Sequence, residues 1–244
     1  LRTLLILETV GASDAPMTPT QIGRAVGLPK QTIHRLCNTM VEEGFLTSDT
    51  GEKGLRPGRR SRHMAAGITT ASRNHIARHQ VLNNLSHRIG ETVNFVIHND
   101  KGMIYQDRVE TDWAFRIQLP VGTHVPFHCT ASGKSFLASL PKRNRNRVLE
   151  SLDLEPMTAN TFVDVDRLSR ELDSIAEQGF SIDNEEFMDG MVAIAVPVND
   201  HSGRFHASLA VHAPLQRLDA PGAIAKIDLL LNASERLTET LFGD

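Results

Sequence analysis

The feature that most constrains this 244-residue chain is a series of helix start and stop signals between residues 18 and 44. Thr18-Pro19-Thr20-Gln21 has the capping-box pattern, with a proline at the first helical position. A helix that starts there is predicted to end at Gly27, before a turn at Leu28-Pro29. A second helix is predicted from Lys30 to Glu43, before Gly44. Two short helices joined by a short turn that contains glycine form a helix-turn-helix.

The second of these helices has two chemically different faces. Apolar residues recur at the i, i+3, i+4, i+7 spacing of a buried helical face, namely Ile33, Leu36, Cys37 and Met40. The opposite face carries Gln31, Arg35, Asn38 and Glu42, flanked by Lys30, Thr32 and His34. One side of the helix therefore packs inward, and the other presents polar and basic groups.

This polar face has the chemistry of a DNA-reading surface. Gln31 and Arg35 can donate bidentately to purine edges in the major groove, and Asn38 can do so to adenine. Lys30 and Thr32 are better placed to contact phosphates, which set the register on DNA. We therefore predict binding to double-stranded operator DNA through Thr20, Lys30, Gln31, Thr32, His34, Arg35 and Asn38.

A hairpin follows where a wing belongs. Phe45-Leu46-Thr47 and Leu55-Arg56 bracket a polar turn at residues 48–54. Lys53 and Arg56 in this hairpin are predicted to contact backbone phosphates. Charge supports this interpretation, because residues 1–62 hold nine Lys and Arg against six acidic residues, whereas the remainder has a net charge of −6.

The composition excludes several classes of protein. The fractions of hydrophobic residues, 40%, and charged residues, 23%, are typical of a soluble globular chain. No run of 18 apolar residues predicts a membrane span. The two cysteines, Cys37 and Cys129, form no disulfide framework, so a cytoplasmic location is expected. Leu1–Val10 is interpreted as a first helix rather than a signal peptide, because it contains Glu8 and lacks a cleavage pattern.

After the hairpin, the pattern predicts a long helical stretch over residues 59–89 and then a larger domain. Predicted strands lie at 92–98, 103–109, 113–119, 180–183, 191–198 and 204–211, and predicted helices at 131–140, 141–152, 165–178 and 223–241. Strands in hairpins with helices between the blocks indicate an α+β domain around an antiparallel sheet.

Several segments together resemble the IclR family of bacterial transcription regulators. They are Gly27-Leu28-Pro29-Lys30-Gln31-Thr32-Ile33-His34-Arg35-Leu36, Glu43-Gly44-Phe45-Leu46, His128 to Ala138 with its Ala131-Ser132-Gly133-Lys134 core, Asp183-Asn184-Glu185-Glu186, and Ala193 to Val198. Their order and spacing match, so the resemblance covers essentially the whole chain. One departure lies at the wing exit, where Leu55-Arg56-Pro57-Gly58 replaces the usual aromatic-x-Leu-Gly pattern of the family. Pro57 in this segment cannot donate to a sheet ladder.

The resemblance implies a winged helix-turn-helix at residues 1–60, a linker helix at 61–90, and a GAF-like effector-binding domain at 91–244. It also implies a homodimer formed through the DNA-binding and linker helices, or a dimer of dimers. Members of the family regulate operons of small-molecule catabolism in response to a metabolite, frequently a carboxylate. We expect no catalytic residue, cofactor, metal or membrane partner.

The resemblance also implies an effector pocket. Carried over by position, its residues are Ile117, Val125, Ala131, Ser132, Gly133, Asp183, Ala193, Ala210 and His212. A helix N-terminus at Ala131–Gly133 favours a carboxylate, because its N–H groups lack helical partners. The alanines at 193 and 210 favour an apolar pocket, so we expect an effector larger or less polar than a two- or three-carbon keto acid, such as an aromatic acid. Asp183 and His212 have structural roles as alternatives.

Four other functions are alternatives to this one. Ser132-Gly133-Lys134-Ser135 resembles the end of a P-loop, but His128 occupies the place of its first glycine. Cys129 beside His128 is a poor catalytic pair, because adjacent residues on an extended segment point opposite ways. A metal site among His98, His128, His206 and His212 lacks a ligand-spacing motif. The last alternative is a non-DNA small-molecule sensor acting through protein partners.

Overall fold

The computed structural model describes residues 1–13, 15–48, 54–71, 74–113 and 119–243. The chain divides into two compact units, Leu1–His75 and Ile76–Asp244. The boundary between them falls inside the segment predicted as a linker helix, and the predicted limits of the three domains stay a prediction. Lys53, Ile117 and most of the strand predicted at 113–119 lie outside the described residues.

The N-terminal unit contains the predicted helix-turn-helix and a two-stranded sheet. Its elements are α1 (Arg2–Gly11), α2 (Pro19–Val26), α3 (Lys30–Glu42), β1 (Leu46–Ser48), β2 (Leu55–Pro57) and α4 (Arg59–Ala71). The capping box is confirmed, since the Thr18 N–H donates to Gln21 Oε1 at 2.8 Å and the Gln21 N–H donates to Thr18 Oγ1 at 3.3 Å. Gly27 ends α2 with φ of 70°, a left-handed conformation that glycine adopts without strain.

The apolar stripe of α3 faces the core of this unit, as predicted. Ile33, Cys37 and Met40 are buried, and Leu36 packs against them from a half-buried position. They contact Ile6 and Val10 of α1, Ile22 of α2, Leu46 of β1 and Leu55 of β2. Because the stripe is anchored on one side, the polar side of α3 is held outward.

The C-terminal unit is an α+β domain built on one antiparallel sheet, as predicted. The elements from α5 onward are α5 (Asn74–Ile89), β3 (Thr92–Asn99), β4 (Gly102–Val109), β5 (His124–Val125), α6 (Ala131–Ser139), α7 (Lys142–Ser151), α8 (Val165–Gln178), β6 (Ser181–Asn184), β7 (Met191–Asn199), β8 (Phe205–Pro214), α9 (Ala220–Ile224) and α10 (Ile227–Phe242). The order of the strands is β5-β4-β3-β8-β7-β6, and each neighbouring pair is antiparallel. The single closing helix predicted at 223–241 is corrected to two helices, α9 and α10.

The two faces of this sheet pack against different helices. One face carries Val93, Phe95, Ile194, Leu209 and Val211, which pack against Leu82 and Leu85 of α5 and Leu230 and Leu237 of α10. The other face carries Val96, Ala193, Ala195 and Ala210, which pack with Leu137 of α6 and with Leu168 and Leu172 of α8. This second face, called the α6 face below, holds the candidate effector residues.

Within the described ranges, none of the helices is long and apolar enough to cross a lipid bilayer.

Candidate DNA-reading surface and effector site

The outward face of α3 is accessible in the way that base reading requires. Gln31, Arg35 and Asn38 are exposed, as are Lys30 at the start of the helix and Thr20 on α2. Arg56 on β2 is exposed as well. Thr32 and His34 are half-buried, and the His34 Nε2 atom is buried with no hydrogen-bond partner among the described residues. His34 is therefore less suited to an outward contact than its neighbours.

The N-terminus of α3 is open to an anion. Pro29 occupies the N-cap position and supplies no side-chain hydrogen bond to the first turn, unlike Thr18 at the start of α2. The first N–H groups of a helix carry partial positive charge and lack acceptors inside the helix. A phosphate can therefore bind at this end, next to Lys30 and Gln31.

In the C-terminal unit, the strand register brings four of the predicted effector residues together. Asp183 on β6 pairs with Ala193 on β7, which in turn pairs with His212 on β8. Ala210, two residues before His212, lies on the same α6 face. Val125 on β5 and Ala131 on α6 belong to the same apolar cluster as Ala193 and Ala210. These predicted residues therefore surround one region of the domain interior.

The first turn of α6 is clamped onto the sheet by hydroxyl groups. The Ser181 hydroxyl donates to the Ala131 carbonyl at 2.6 Å, and the Ser208 hydroxyl donates to the Ser132 carbonyl at 3.0 Å. Thr130 is the N-cap, and its Oγ1 accepts the Gly133 N–H at 3.0 Å. This corrects the expectation that the Gly133 N–H is an open donor.

Gly133 has a packing role in this turn. A Cβ added at this position would lie 2.2 Å from the Phe127 carbonyl oxygen, which is backbone and cannot move aside cheaply. Glycine is therefore needed for the close approach of α6 to the segment before it. Of the first-turn N–H groups predicted to bind a carboxylate, those of Ala131 and Ser132 precede the capped position and remain candidates.

Sequence reasoning missed three polar residues of the α6 face, Asn94, Tyr105 and Arg108. Arg108 Nη1 donates to Asn94 Oδ1 at 2.9 Å, and Arg108 Nε donates to Glu110 Oε1 at 3.0 Å. The Arg108 guanidinium lies 5.8 Å from the Tyr105 ring centroid. The Tyr105 and His212 rings are 6.1 Å apart. The sequence signal that could have indicated them is a polar residue, Asn94, at an inward position of an otherwise apolar strand.

Burial sets the protonation of the acid–base groups on this face. Burial, and then the positive charge of Arg108, lowers the pKa of His212 to about 4, so the imidazole is neutral at pH 7. Burial raises the pKa of Asp183 to about 6, although the N–H groups of Glu186 and Phe187 donate to Asp183 Oδ1 at 2.7 and 3.2 Å. Asp183 thus has a structural role at the end of β6, and it also lies beside the other candidate effector residues.

The alternative chemistries find little support in the geometry. Burial raises the pKa of the Cys129 thiol to about 12, so it is not a thiolate nucleophile. His128 Nε2 lies 3.0 Å from the Glu155 carbonyl. Lys134 is buried and ion-paired with Glu186 rather than facing a phosphate site. Over the described parts of the chain, no group of three or more His, Cys, Asp and Glu side chains is arranged to hold a metal ion.

Comparison with known proteins decides the family. The model of the IclR helix-turn-helix domain matches residues 1–50, and the model of the C-terminal domain of the bacterial transcriptional regulator IclR matches residues 69–238. The chain belongs to the IclR family of transcriptional regulators. It therefore combines a DNA-binding domain with a C-terminal effector domain, and its relatives are transcriptional regulators rather than enzymes.

Individual IclR-family relatives match nearly the whole chain. The probable transcriptional regulator SauR of Cupriavidus necator is 34% identical over 240 residues, with 98% of this chain and 95% of SauR covered. The transcriptional repressor IclR of Escherichia coli is 30% identical, with 89% and 80% covered. The crystal structure of Thermotoga maritima IclR, 24% identical, shares the fold with a TM-score of 0.67 over 100% of this chain and 98% of that one.

Proposed function

We propose that this IclR-family regulator binds a specific operator through α3 and controls a catabolic operon in the cytoplasm. The observation that carries the proposal is the exposed row Gln31, Arg35 and Asn38 on a helix whose opposite stripe is buried. In this proposal those three side chains read base edges. Phosphates are contacted by Lys30, Thr32, Lys53 and Arg56, together with Thr20. His34 lies at the edge of this DNA-reading surface.

Replacing Arg35 with alanine is expected to weaken specific operator binding by about 1–3 kcal/mol and to relax specificity at one base pair. Lys30→Ala is the matched variant, because loss of a phosphate contact weakens binding to all sequences about equally and lowers the salt dependence. Arg143→Ala, an exposed position on α7, is the control and should change neither quantity. Fluorescence anisotropy on operator and scrambled DNA measures both. Unchanged operator affinity in the Arg35→Ala protein would remove Arg35 as a base reader.

The proposal includes a homodimer or a dimer of dimers. A helix-turn-helix dimer reads two half-sites about one helical turn apart, so it predicts an operator with inverted symmetry. Two of the relatives are named repressors, the Escherichia coli IclR protein and the acetate operon repressor of Salmonella typhimurium. Repression is accordingly the sign of regulation that we propose.

A small carboxylate bound on the α6 face is the proposed input signal. The pocket residues are Val125, Ala131, Ser132, Asp183, Ala193, Ala210 and His212, together with Ile117, and the small alanines favour a ligand larger than pyruvate, such as an aromatic acid. An effector at 100 times its Kd is expected to stabilise the chain by about 2.7 kcal/mol, which a thermal-shift panel of carboxylates detects. Calorimetry then ranks the ligands, and tighter binding of pyruvate or glyoxylate than of benzoate contradicts the size argument.

A further inference from the structure

Three polar side chains lie next to one another at one end of the α6 face. Asn94 on β3 pairs with Arg108 on β4 to one side and with Ala210 on β8 to the other. His212 lies two residues beyond Ala210, opposite Thr92. A register shift in the pairing of β3 with β4, between Phe95 and Val96, turns both Tyr105 and Arg108 toward this face, because it adds one residue to β4.

Two nitrogen atoms in this group are buried and have no hydrogen-bond partner in the part of the chain that the structure describes. Asn94 is 0% exposed, and its Oδ1 accepts from Arg108, but its Nδ2 donates to no acceptor among the described residues. His212 is 8% exposed, and its Nδ1 is unpartnered in the same sense. Buried polar groups are nearly always hydrogen-bonded, because an unmade bond costs the desolvation of the group. These two neighbouring nitrogen atoms without hydrogen-bond partners therefore indicate that a polar ligand binds between them.

The charge at this end favours a negative ligand. The Arg108 guanidinium brings a positive charge and up to five N–H donors to this end, and its side chain is 3% exposed. Its partner Glu110 lies at the rim, with 35% of its side chain exposed. At the other candidate anion site, the first turn of α6, the Gly133 N–H is already occupied by Thr130, so fewer donors remain there, those of Ala131 and Ser132. Charge-assisted bonds from arginine and amide groups suit a carboxylate.

We infer that Arg108, Asn94 and His212 form the anion subsite of the effector pocket, which binds the acid group of a small organic anion at the sheet rather than at the helix N-terminus. The inference rests on the proposed effector function. The carboxylate accepts from Asn94 Nδ2 and from His212 in the tautomer that carries its proton on Nδ1, beside the Arg108 charge. The remainder of the ligand lies over Ala193 and Ala210.

The test is calorimetric titration of the full chain with benzoate, pyruvate, glyoxylate and succinate, each beside its uncharged amide. Asn94→Asp is the informative variant, because it keeps the oxygen that Arg108 binds and replaces the free donor by a second negative oxygen. We expect Asn94→Asp to weaken the binding of the carboxylate with the highest affinity by about tenfold or more, and Arg108→Gln to do the same. Glu110→Gln is expected to strengthen the binding of that carboxylate by about threefold, since it removes a nearby negative charge. Arg143→Gln on α7 is the control.

The titrations either support or overturn the anion subsite. Wild-type affinity in Asn94→Asp and Arg108→Gln overturns the inference, as does the absence of carboxylate binding by the wild-type protein. If thermal unfolding shows that either variant fails to fold, Glu110→Gln decides, and unchanged or weaker binding there overturns it. Operator binding without ligand is measured in parallel. A wild-type protein that binds carboxylates through Arg108 but binds no operator contradicts the proposed function and leaves the subsite standing.

Discussion

Replacing Lys134 with methionine is expected to lower the free energy of unfolding of the C-terminal unit by about 3–5 kcal/mol. Lys134 on α6 is 0% exposed, and its Nζ lies 2.5 Å from Glu186 Oε1 and 3.4 Å from Glu171 Oε1. Removing one partner of a buried ion pair leaves the other charge uncompensated. Here that charge is Glu186, whose side chain is 7% exposed and whose Oε2 already lacks a partner among the described residues.

The loss of unfolding free energy in the Lys134→Met protein is expected to depend on pH. Burial raises the pKa of Glu186 to about 7, even though the Lys134 charge opposes this. Without Lys134 the pKa of Glu186 rises further, so the carboxyl becomes neutral instead of remaining charged. The cost of the substitution is therefore largest above pH 7 and shrinks as pH falls. Urea unfolding followed by circular dichroism at pH 6 and pH 8 measures it.

Two further variants make the Lys134 experiment specific. The double variant Lys134→Met/Glu186→Gln removes both charges and should recover much of the loss. Lys142→Met removes the exposed partner of Asp173, 3.6 Å away on the surface, and should cost less than about 1 kcal/mol. A loss in Lys134→Met no larger than that in Lys142→Met would show that the buried pair does not hold α6 in place.

Replacing His212 with glutamine is expected to remove a pH dependence of about 3 kcal/mol from the stability. The pKa of His212 is lowered from 6.5 to about 4 by burial and by Arg108. Between these two values the unfolded chain binds more protons than the folded one, so the contribution of His212 to stability rises with pH. It is lost as pH falls from 6.5 to 4 and is complete above 6.5.

The comparison with the His212→Gln protein isolates this contribution. Burial raises the pKa of Asp183 to about 6 and that of Glu186 to about 7, so these acids act in the opposite sense, with stability falling as pH rises toward 6–7. Both are present in wild type and variant, and they cancel in the difference. Free energies of unfolding are measured for both proteins at pH 4.5, 5.5 and 6.5. The stability of the wild type relative to the variant should increase from the lowest pH to the highest. A difference that stays constant with pH would mean that His212 is not buried in its neutral form.

The helix-turn-helix was predictable because its determinants are local. The capping box at Thr18, the left-handed Gly27 and the apolar stripe of α3 each depend on residues within one or two helical turns, and the structure confirms them. The hairpins of the C-terminal unit were predictable for the same reason. The break between α9 and α10 left no such signal, because the i, i+3 spacing of apolar residues continues across it from Ile224 to Ile227.

The candidate effector site was harder to predict, because it depends on contacts between distant strands. Asn94 and Arg108 meet only through the pairing of β3 with β4, and regular alternation would put Tyr105 and Arg108 on opposite faces. The register shift that places them together has no sequence signature. The Thr130 cap that occupies the Gly133 N–H was equally hard to predict, because Gly133 stands where the capping-box pattern has Glu or Gln. The alanines and Asp183 were assigned through the family resemblance, and the strand register then places them side by side.

The central claim, sequence-specific operator binding through α3, is tested most directly by selection from a random double-stranded DNA library. The full chain and its Arg35→Ala variant are each used to enrich bound fragments, which are then sequenced. The wild-type protein should enrich an inverted repeat with half-sites about one helical turn apart, and the variant should lose the preference at one symmetric base pair. Enrichment of no motif by the wild type, or of the same motif equally well by the variant, would contradict this account of α3.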